Sequence, residues 1–114
     1  MSVVSGIVLC CSCCEEFGSK GEDGPPLLFE QINAWMADRR PYWSMTLGLE
    51  EQFVGGKHPQ MFVAGAGLNH FPEDEFSDFV LSLPWQCPDN IVLIIQPEDG
   101  PTHVVRPSEL KVIA

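Results

Sequence analysis

The chain has few basic residues. Six Lys and Arg stand against sixteen Asp and Glu in 114 residues, which gives a formal net charge of −10 at pH 7. Proteins bind DNA and RNA largely through Lys and Arg side chains that displace counterions from the phosphates. The basic residues are scattered apart from the neighbours Arg39 and Arg40. The composition therefore argues against direct nucleic-acid binding and favours a basic protein partner, because complementary charges attract.

The sequence also lacks a hydrophobic run long enough to cross a membrane, which takes about twenty apolar residues. No Lys or Arg precedes the first apolar stretch and no small-residue cleavage site follows it, so we expect neither a signal peptide nor membrane contact. The five cysteines are an odd number, and their adjacent pairs fit poorly into an extracellular disulfide framework. We therefore expect a soluble, cytoplasmic protein with reduced thiols.

Recognisable catalytic motifs are missing as well. No Gly-x-Ser-x-Gly sequence is present to place a serine nucleophile on a strained turn. Gly65-Ala66-Gly67 lacks the third glycine and the acidic residue of a dinucleotide-binding fingerprint. These absences predict a protein that is not an enzyme and needs no cofactor.

The chain does contain a regular series of apolar segments separated by glycine and proline. Segment 3–13 is apolar on both faces, which is typical of a central strand covered on both sides. Helical periodicity bounded by prolines predicts helices at 26–40 and 72–83. Further strands are predicted at 42–53 and 60–68, paired as a hairpin through 54–59, and at 91–96 and 102–106, with 107–114 as a short edge strand or a tail.

This order of elements predicts an α+β fold. Strand, helix, hairpin, helix, strand, strand corresponds to a ferredoxin-like two-layer sandwich, βαββαββ, with a mainly antiparallel sheet and two helices. Gly65 and Gly67 within one strand indicate a bulge or a helix packed closely against the sheet. The length suits one hydrophobic core, so residues 1–114 are expected to form a single domain.

Four of the five cysteines lie in the segment Cys10-Cys11-Ser12-Cys13-Cys14. Their spacing matches half of a zinc site, but on a strand such sulfurs diverge. Cys11 and Cys13 share a face and would need Cys87 or a histidine to complete a site. We favour the interpretation that the cysteines pack as small apolar side chains and bind no metal. If a metal binds, the candidate ligands are Cys11, Cys13 and Cys87. A metal-binding or thiol-dependent small enzyme that uses Cys10–Cys14 is the alternative function.

His70 precedes three carboxylates, which suggests a general base or a metal site. Carboxylates in the first turn of a helix are, however, explained by the helix dipole alone. His58 and His103 have no partner that the sequence identifies. The histidines therefore carry no functional prediction.

Large aromatic side chains stand at the predicted ends of the helices, close to acidic residues. Trp and Tyr are enriched in protein interfaces, although such residues also cap cores. The candidate partner-binding residues are Tyr42, Trp43, Phe71, Glu73, Asp74, Glu75, Asp78, Trp85 and Asp89. Together, charge, size and missing motifs predict a small acidic protein-binding module that docks on a basic partner, in the manner of immunity proteins or phage counter-defence inhibitors. Exposed strand edges are compatible with a homodimer.

Overall fold

A four-stranded antiparallel sheet and two helices make up the regular structure of the described chain. The computed structural model describes residues 4–12, 14–21, 24–52 and 61–107. In chain order the elements are β1 (Val4–Ser12), α1 (Leu27–Arg39), β2 (Met61–Asn69), α2 (Glu73–Ser82), β3 (Val92–Pro97) and β4 (His103–Val105), with short 3-10 helices at Leu49–Gln52 and Pro88–Asn90. The predicted α+β class is confirmed. The predicted turn 54–59, residues 108–114 of the predicted edge strand or tail 107–114, Cys13 and His58 lie outside the described residues.

The strands are ordered β2-β1-β3-β4, and each neighbouring pair is antiparallel. β1 is therefore a central strand, as the sequence predicts. It pairs with β2 from Val4 opposite Asn69 to Ser12 opposite Met61, and with β3 from Ser5 opposite Pro97 to Cys10 opposite Val92. The one-to-one register along β1 and β2 contains no bulge.

The predicted ferredoxin-like order βαββαββ is not matched, because the described residues 42–52 of the first hairpin strand form a single bridge and no strand. Thr46 forms a single antiparallel bridge with Gly65, and the chain then turns into the 3-10 helix Leu49–Gln52. The buried Glu50 side chain accepts a hydrogen bond from the Val63 amide (2.8 Å), a bond that a neighbouring strand would otherwise supply. The segment around Thr46 runs antiparallel to β2, so the chain reverses direction once more between α1 and β2. For this reason β2 lies antiparallel to β1 although a helix lies between them.

Both helices begin and end close to where the prolines predict. α1 follows Pro26 and buries Leu28, Phe29, Ile32 and Met36. α2 follows Pro72, carries three carboxylates in its first turn, where they interact favourably with the helix dipole, and buries Phe76 and Val80. In the described part of the chain, neither helix is long and apolar enough to cross a membrane.

The hydrophobic core lies between the helices and one face of the sheet. Ile7, Leu9 and Cys11 of β1 point into it and are at most 2% exposed. Their neighbours in the core come from both helices and from the other strands, among them Ile32, Met36, Ala64, Phe76, Val80, Leu93 and Ile95. Each fully buried large aliphatic side chain contributes about 1.5–3 kcal/mol of transfer free energy. This side of the sheet is called the core face below.

The opposite face of the sheet is not covered in the same way. Val8 lies on it and is 37% exposed, and Cys10 and Ser12 are half-buried. Among the described residues no layer comparable to the helices covers this face, so the prediction that both faces of β1 are covered is wrong for the exposed Val8. Apolar alternation shows that a strand has two apolar faces, but it does not show that a second layer covers each of them. This side is called the open face below.

Gly65 marks the place where the open face is covered. A Cβ at this position would lie 2.9 Å from the Ile7 carbonyl oxygen and 3.3 Å from the Leu49 side chain. Leu49 belongs to the short helix that follows the Thr46 bridge. The predicted close approach at this glycine is thus real, and the short segment that causes it covers the β2 side of the open face.

Candidate functional site

A row of branched apolar side chains crosses the middle of the open face. Val8 of β1 stands opposite Ile94 of β3, and Ile94 stands opposite Val104 of β4. Val104 is 58% exposed and Val8 is 37% exposed, whereas Ile94 between them is half-buried. Residues directly opposite on neighbouring strands lie about 4.5–5.5 Å apart, so the three side chains form a continuous surface. We call it the apolar row.

A groove of about 390 Å³ lies beside this row, towards the end of β1. Its walls combine apolar and polar groups from several elements: Cys10, Cys11, Ser12, Met61, Asp89, Asn90, Val92 and Arg106. The Arg106 guanidinium donates a hydrogen bond to the Asp89 carbonyl oxygen. Its buried Nε has no hydrogen-bond partner in the described structure. The groove thus offers an apolar wall and one unused donor, the combination found in many small binding pockets.

Cys10 is the thiol that faces this groove from β1. Burial raises the pKa of the Cys10 thiol, because desolvation disfavours the thiolate. The thiolate is the nucleophilic form of cysteine. Cys10 is therefore a poor nucleophile at neutral pH, which argues against catalysis by this residue.

Carboxylates gather around the first residues of β1. The Ser5 hydroxyl donates to a Glu73 carboxylate oxygen, which fixes the start of α2 beside the strand. Glu98 exchanges hydrogen bonds with Val4: its amide donates to the Val4 carbonyl (2.9 Å), and its carboxylate accepts from the Val4 amide (3.3 Å). The five acidic residues of this region, Glu73, Asp74, Glu75, Glu98 and Asp99, form what we call the acidic end.

Little of this negative charge is neutralised. Within the described residues the acidic end contains one ion pair, Arg39 to Glu75 at 3.3 Å, and both side chains are partly or largely exposed. Asp74, Glu98 and Asp99 are exposed to solvent. Glu98 and Asp99 also lie in the turn between β3 and β4, so the acidic end borders the strands that carry Ile94 and Val104.

Three of the predicted interface aromatics belong to the core. Trp43, Phe71 and Trp85 are 6–7% exposed, and the Trp85 indole donates to the Val80 carbonyl oxygen at 2.8 Å. Phe71 contacts the rings of Trp43 and Phe76 at centroid distances of 5.1 and 4.9 Å. Their side chains belong to the buried core and present little surface to a partner, so the structure favours the core-capping alternative for these three residues. Tyr42, in contrast, is 78% exposed.

The predicted acidic residues are divided between two ends of the molecule. Glu73, Asp74 and Glu75 lie at the acidic end with Ser5, whereas Asp89 lies in the groove beside Cys10 and Ser12. Seven residue steps along the strand lead from Ser5 to Ser12, which is about 23 Å at 3.3 Å per step. Asp78 is exposed on α2, one turn after Asp74. Asp89 therefore does not share one contiguous surface with the α2 carboxylates.

The cysteines are also arranged differently from the prediction. Cys14 and Cys87 form a disulfide with their Cα atoms 6.7 Å apart, so the expectation of reduced thiols throughout is wrong for this pair. Cys11 is 1% exposed on the core face, and Cys13 lies outside the described residues. Disulfides persist mainly in oxidising compartments, so the thiols no longer support a cytoplasmic location, which stays a prediction.

Glu15 holds the two ends of this disulfide together. Its side chain is buried, at 4% exposure, and its two carboxylate oxygens accept hydrogen bonds from the Gln86 and Cys87 amides, both at 2.9 Å. The Ser12 hydroxyl lies 2.9 Å from the Cys14 sulfur. The two sulfurs and a Glu15 oxygen all lie within 4.8 Å of one another. The sequence interpretation named Cys87 as a candidate ligand with Cys11 and Cys13, but it did not include Glu15 or predict the bond to Cys14, because nothing in a single sequence relates position 14 to position 87.

The apolar row was missed for a different reason. Its members are visible in the sequence as alternate apolar residues, but the same pattern is typical of a covered strand. Arg106 was seen only as one of six scattered basic residues. No known protein family, curated protein or solved structure matches this chain.

Proposed function

We propose that the chain is a small acidic protein-binding module, not an enzyme, whose open face docks on a partner protein with an apolar surface bordered by Lys and Arg. The observation that carries the proposal is the exposed apolar row Val8, Ile94 and Val104 on a sheet face that the helices leave uncovered. Monomeric soluble proteins rarely expose large contiguous apolar patches, and those that do often use them for binding.

The charge distribution supports a basic partner. Glu98 and Asp99 of the acidic end lie in the turn between the two strands that carry Ile94 and Val104, and a single ion pair in the described chain neutralises part of the acidic end. Carboxylates at the rim of an interface attract a positively charged surface and speed its association, while the apolar centre supplies most of the affinity. An inhibitor of the immunity or counter-defence type would use a surface of this kind.

The partner should be sought by capture from the native host at low and high ionic strength, followed by identification and repetition with the purified partner. Val104→Lys tests the row, and Asp74→Asn with Asp99→Asn tests the acidic end. Glu16→Gln with Asp38→Asn removes the same number of exposed charges outside the acidic end and is the matched control.

We expect capture of one partner whose binding weakens as the salt concentration rises. Val104→Lys should abolish the binding and the acidic-end variant should weaken it, whereas the control variant should bind as the unmodified protein does. Binding that ignores salt, or that Val104→Lys leaves unchanged, would contradict it. The absence of any partner at low ionic strength would also contradict it. Light scattering gives a separate check: a dimer that Val104→Lys dissociates would mean that a second copy, not a basic partner, covers the row.

A further inference from the structure

A buried carboxylate lies between the two disulfide-bonded cysteines. Glu15 is 4% exposed, and in the described chain no cationic side chain forms an ion pair with it. Both of its carboxylate oxygens accept a hydrogen bond from a backbone amide, and buried carboxylates in proteins are commonly paired with a cation or bound to a metal. A cation beside Glu15 would add such a partner.

The neighbours of Glu15 are suitable ligands for one particular class of cation. The sulfurs of Cys14 and Cys87 and a Glu15 oxygen lie within 4.8 Å of one another. Thiolate and carboxylate ligands suit Zn²⁺, which is typically bound by four ligands in a tetrahedron, whereas Ca²⁺ and Mg²⁺ require oxygen ligands. The described residues supply three ligands, which leaves a fourth position for water.

We propose that Cys14, Glu15 and Cys87 form a redox-controlled zinc site, closed as a disulfide and opened by a dithiol reductant. The dithiol supplies two electrons and two protons, its own sulfurs become a disulfide, and the Cys14–Cys87 bond becomes two thiols. Zn²⁺ then displaces the two thiol protons and binds both thiolates and Glu15. The site is independent of the proposed docking on the open face.

Two features of the structure favour exchange between these states. Cys14 is exposed, so a reductant reaches its sulfur from solvent. Glu15 is held by the Gln86 and Cys87 amides and not by the disulfide itself, so the two cysteines remain close together after reduction. The ligands are therefore already positioned when the sulfurs separate to accept the metal.

The experiment is a Co²⁺ titration of the full chain, reduced with a dithiol and desalted under nitrogen, with competition by Zn²⁺. The reduced protein is expected to show the absorption of a thiolate-bound tetrahedral cobalt ion, to lose it when Zn²⁺ is added, and to bind one equivalent. The oxidised protein is expected to show no such absorption. A reduced protein that takes up neither metal, or an oxidised protein that binds equally well, would overturn the proposal.

Variants locate the site. Cys14→Ser and Cys87→Ser should abolish the thiolate absorption, whereas Cys10→Ser and Glu16→Gln are matched controls that should keep it. Removing even a group that only orients a metal ligand costs about 10- to 100-fold in affinity, so Glu15→Gln should weaken zinc binding by at least that factor. Cobalt absorption that survives Cys87→Ser would overturn the proposal.

A measurement on the unmodified sequence guards against variants that fail to fold. Zn²⁺ should protect Cys14 and Cys87 of the reduced protein from iodoacetamide, as mapped by mass spectrometry of peptides. Circular dichroism before and after reduction reports whether the fold persists. Alkylation of both cysteines at the same rate with and without Zn²⁺ would count against the site.

Discussion

The two faces of the sheet both carry apolar side chains but have different surroundings. On β1, Leu9 points to the core face and is 0% exposed, while its neighbour Val8 points to the open face and is 37% exposed. Both α1 and α2 cover the first face, whereas the short segment around Leu49 covers part of the second. Apolar alternation therefore identifies the two faces of a strand. It does not identify the layer that covers each face, which comes from elsewhere in the chain or from a partner.

The largest effect is expected for Leu9→Ala on the core face. The side chain is fully buried, and deleting it leaves a cavity that the surrounding residues fill only partly. We expect a loss of about 2–5 kcal/mol in the free energy of unfolding, measured by urea denaturation under oxidising conditions. A loss below about 1 kcal/mol would mean that the core face is not the tightly packed side.

The second prediction concerns the covered part of the open face. Gly65→Ala places a Cβ against the Ile7 carbonyl oxygen and Leu49, so we expect a loss of about 1–3 kcal/mol from overpacking. Gly67→Ala is the matched control on the same strand and the same face. A Cβ at Gly67 meets no atom within 4 Å, and this change should be neutral or slightly stabilising. Equal effects of the two substitutions in thermal denaturation would argue against contact with Leu49.

A smaller effect is expected for Val104→Thr, which puts a hydroxyl in place of a methyl group in the apolar row. Because Val104 is 58% exposed, the hydroxyl remains in contact with water, and stability should change by at most about 0.5 kcal/mol. The same substitution at Val80, which is 0% exposed, buries the hydroxyl and should cost about 1–3 kcal/mol. A large loss for Val104→Thr in urea denaturation would show that the row is covered within the monomer.

The smallest effect involves no change of sequence. Cys10 and Cys11 are adjacent but lie on opposite faces, half-buried and 1% exposed respectively. Since burial raises the pKa of the Cys10 thiol, its alkylation by iodoacetamide should begin at a higher pH than that of a free thiol. Cys11 should stay unmodified in the native state. Peptide mapping across a pH series checks both expectations, and modification of Cys11 before Cys10 would contradict the assignment of faces.

Local signals predict the elements of this fold well. Prolines 25, 26, 41, 72 and 84 border the helices, period-two apolar residues identify β1, and strand-like composition and an unbroken apolar run identify β2 and β3. The segment 42–53 was predicted as a strand because its composition resembles one. In the structure the buried Glu50 carboxylate accepts the hydrogen bond of the Val63 amide, in place of a neighbouring strand. A side chain that substitutes for a backbone neighbour leaves no periodic signal.

Relations between distant residues were the least predictable part of the site. The bond between Cys14 and Cys87 spans 73 positions, and Glu15 beside it resembles any loop carboxylate. The set of interface residues was divided because aromatics at helix ends can point inward, as Trp43 and Trp85 do. Acidic residues that are adjacent in sequence, such as Glu73–Glu75, can be assigned to one surface from the sequence alone. The position of Glu98 at the same end is defined by its hydrogen bonds to Val4, which the sequence does not show.

The strand order has a consequence for how the chain is synthesised. β1 is at the centre of the sheet, but its two neighbours, β2 and β3, are translated long after it. Until β3 has left the ribosome, the apolar strand Val4–Ser12 lacks its full set of hydrogen bonds and is exposed to association with other chains. A nascent chain that ends before Val92 should therefore bind general chaperones, and release from them should coincide with the emergence of β3.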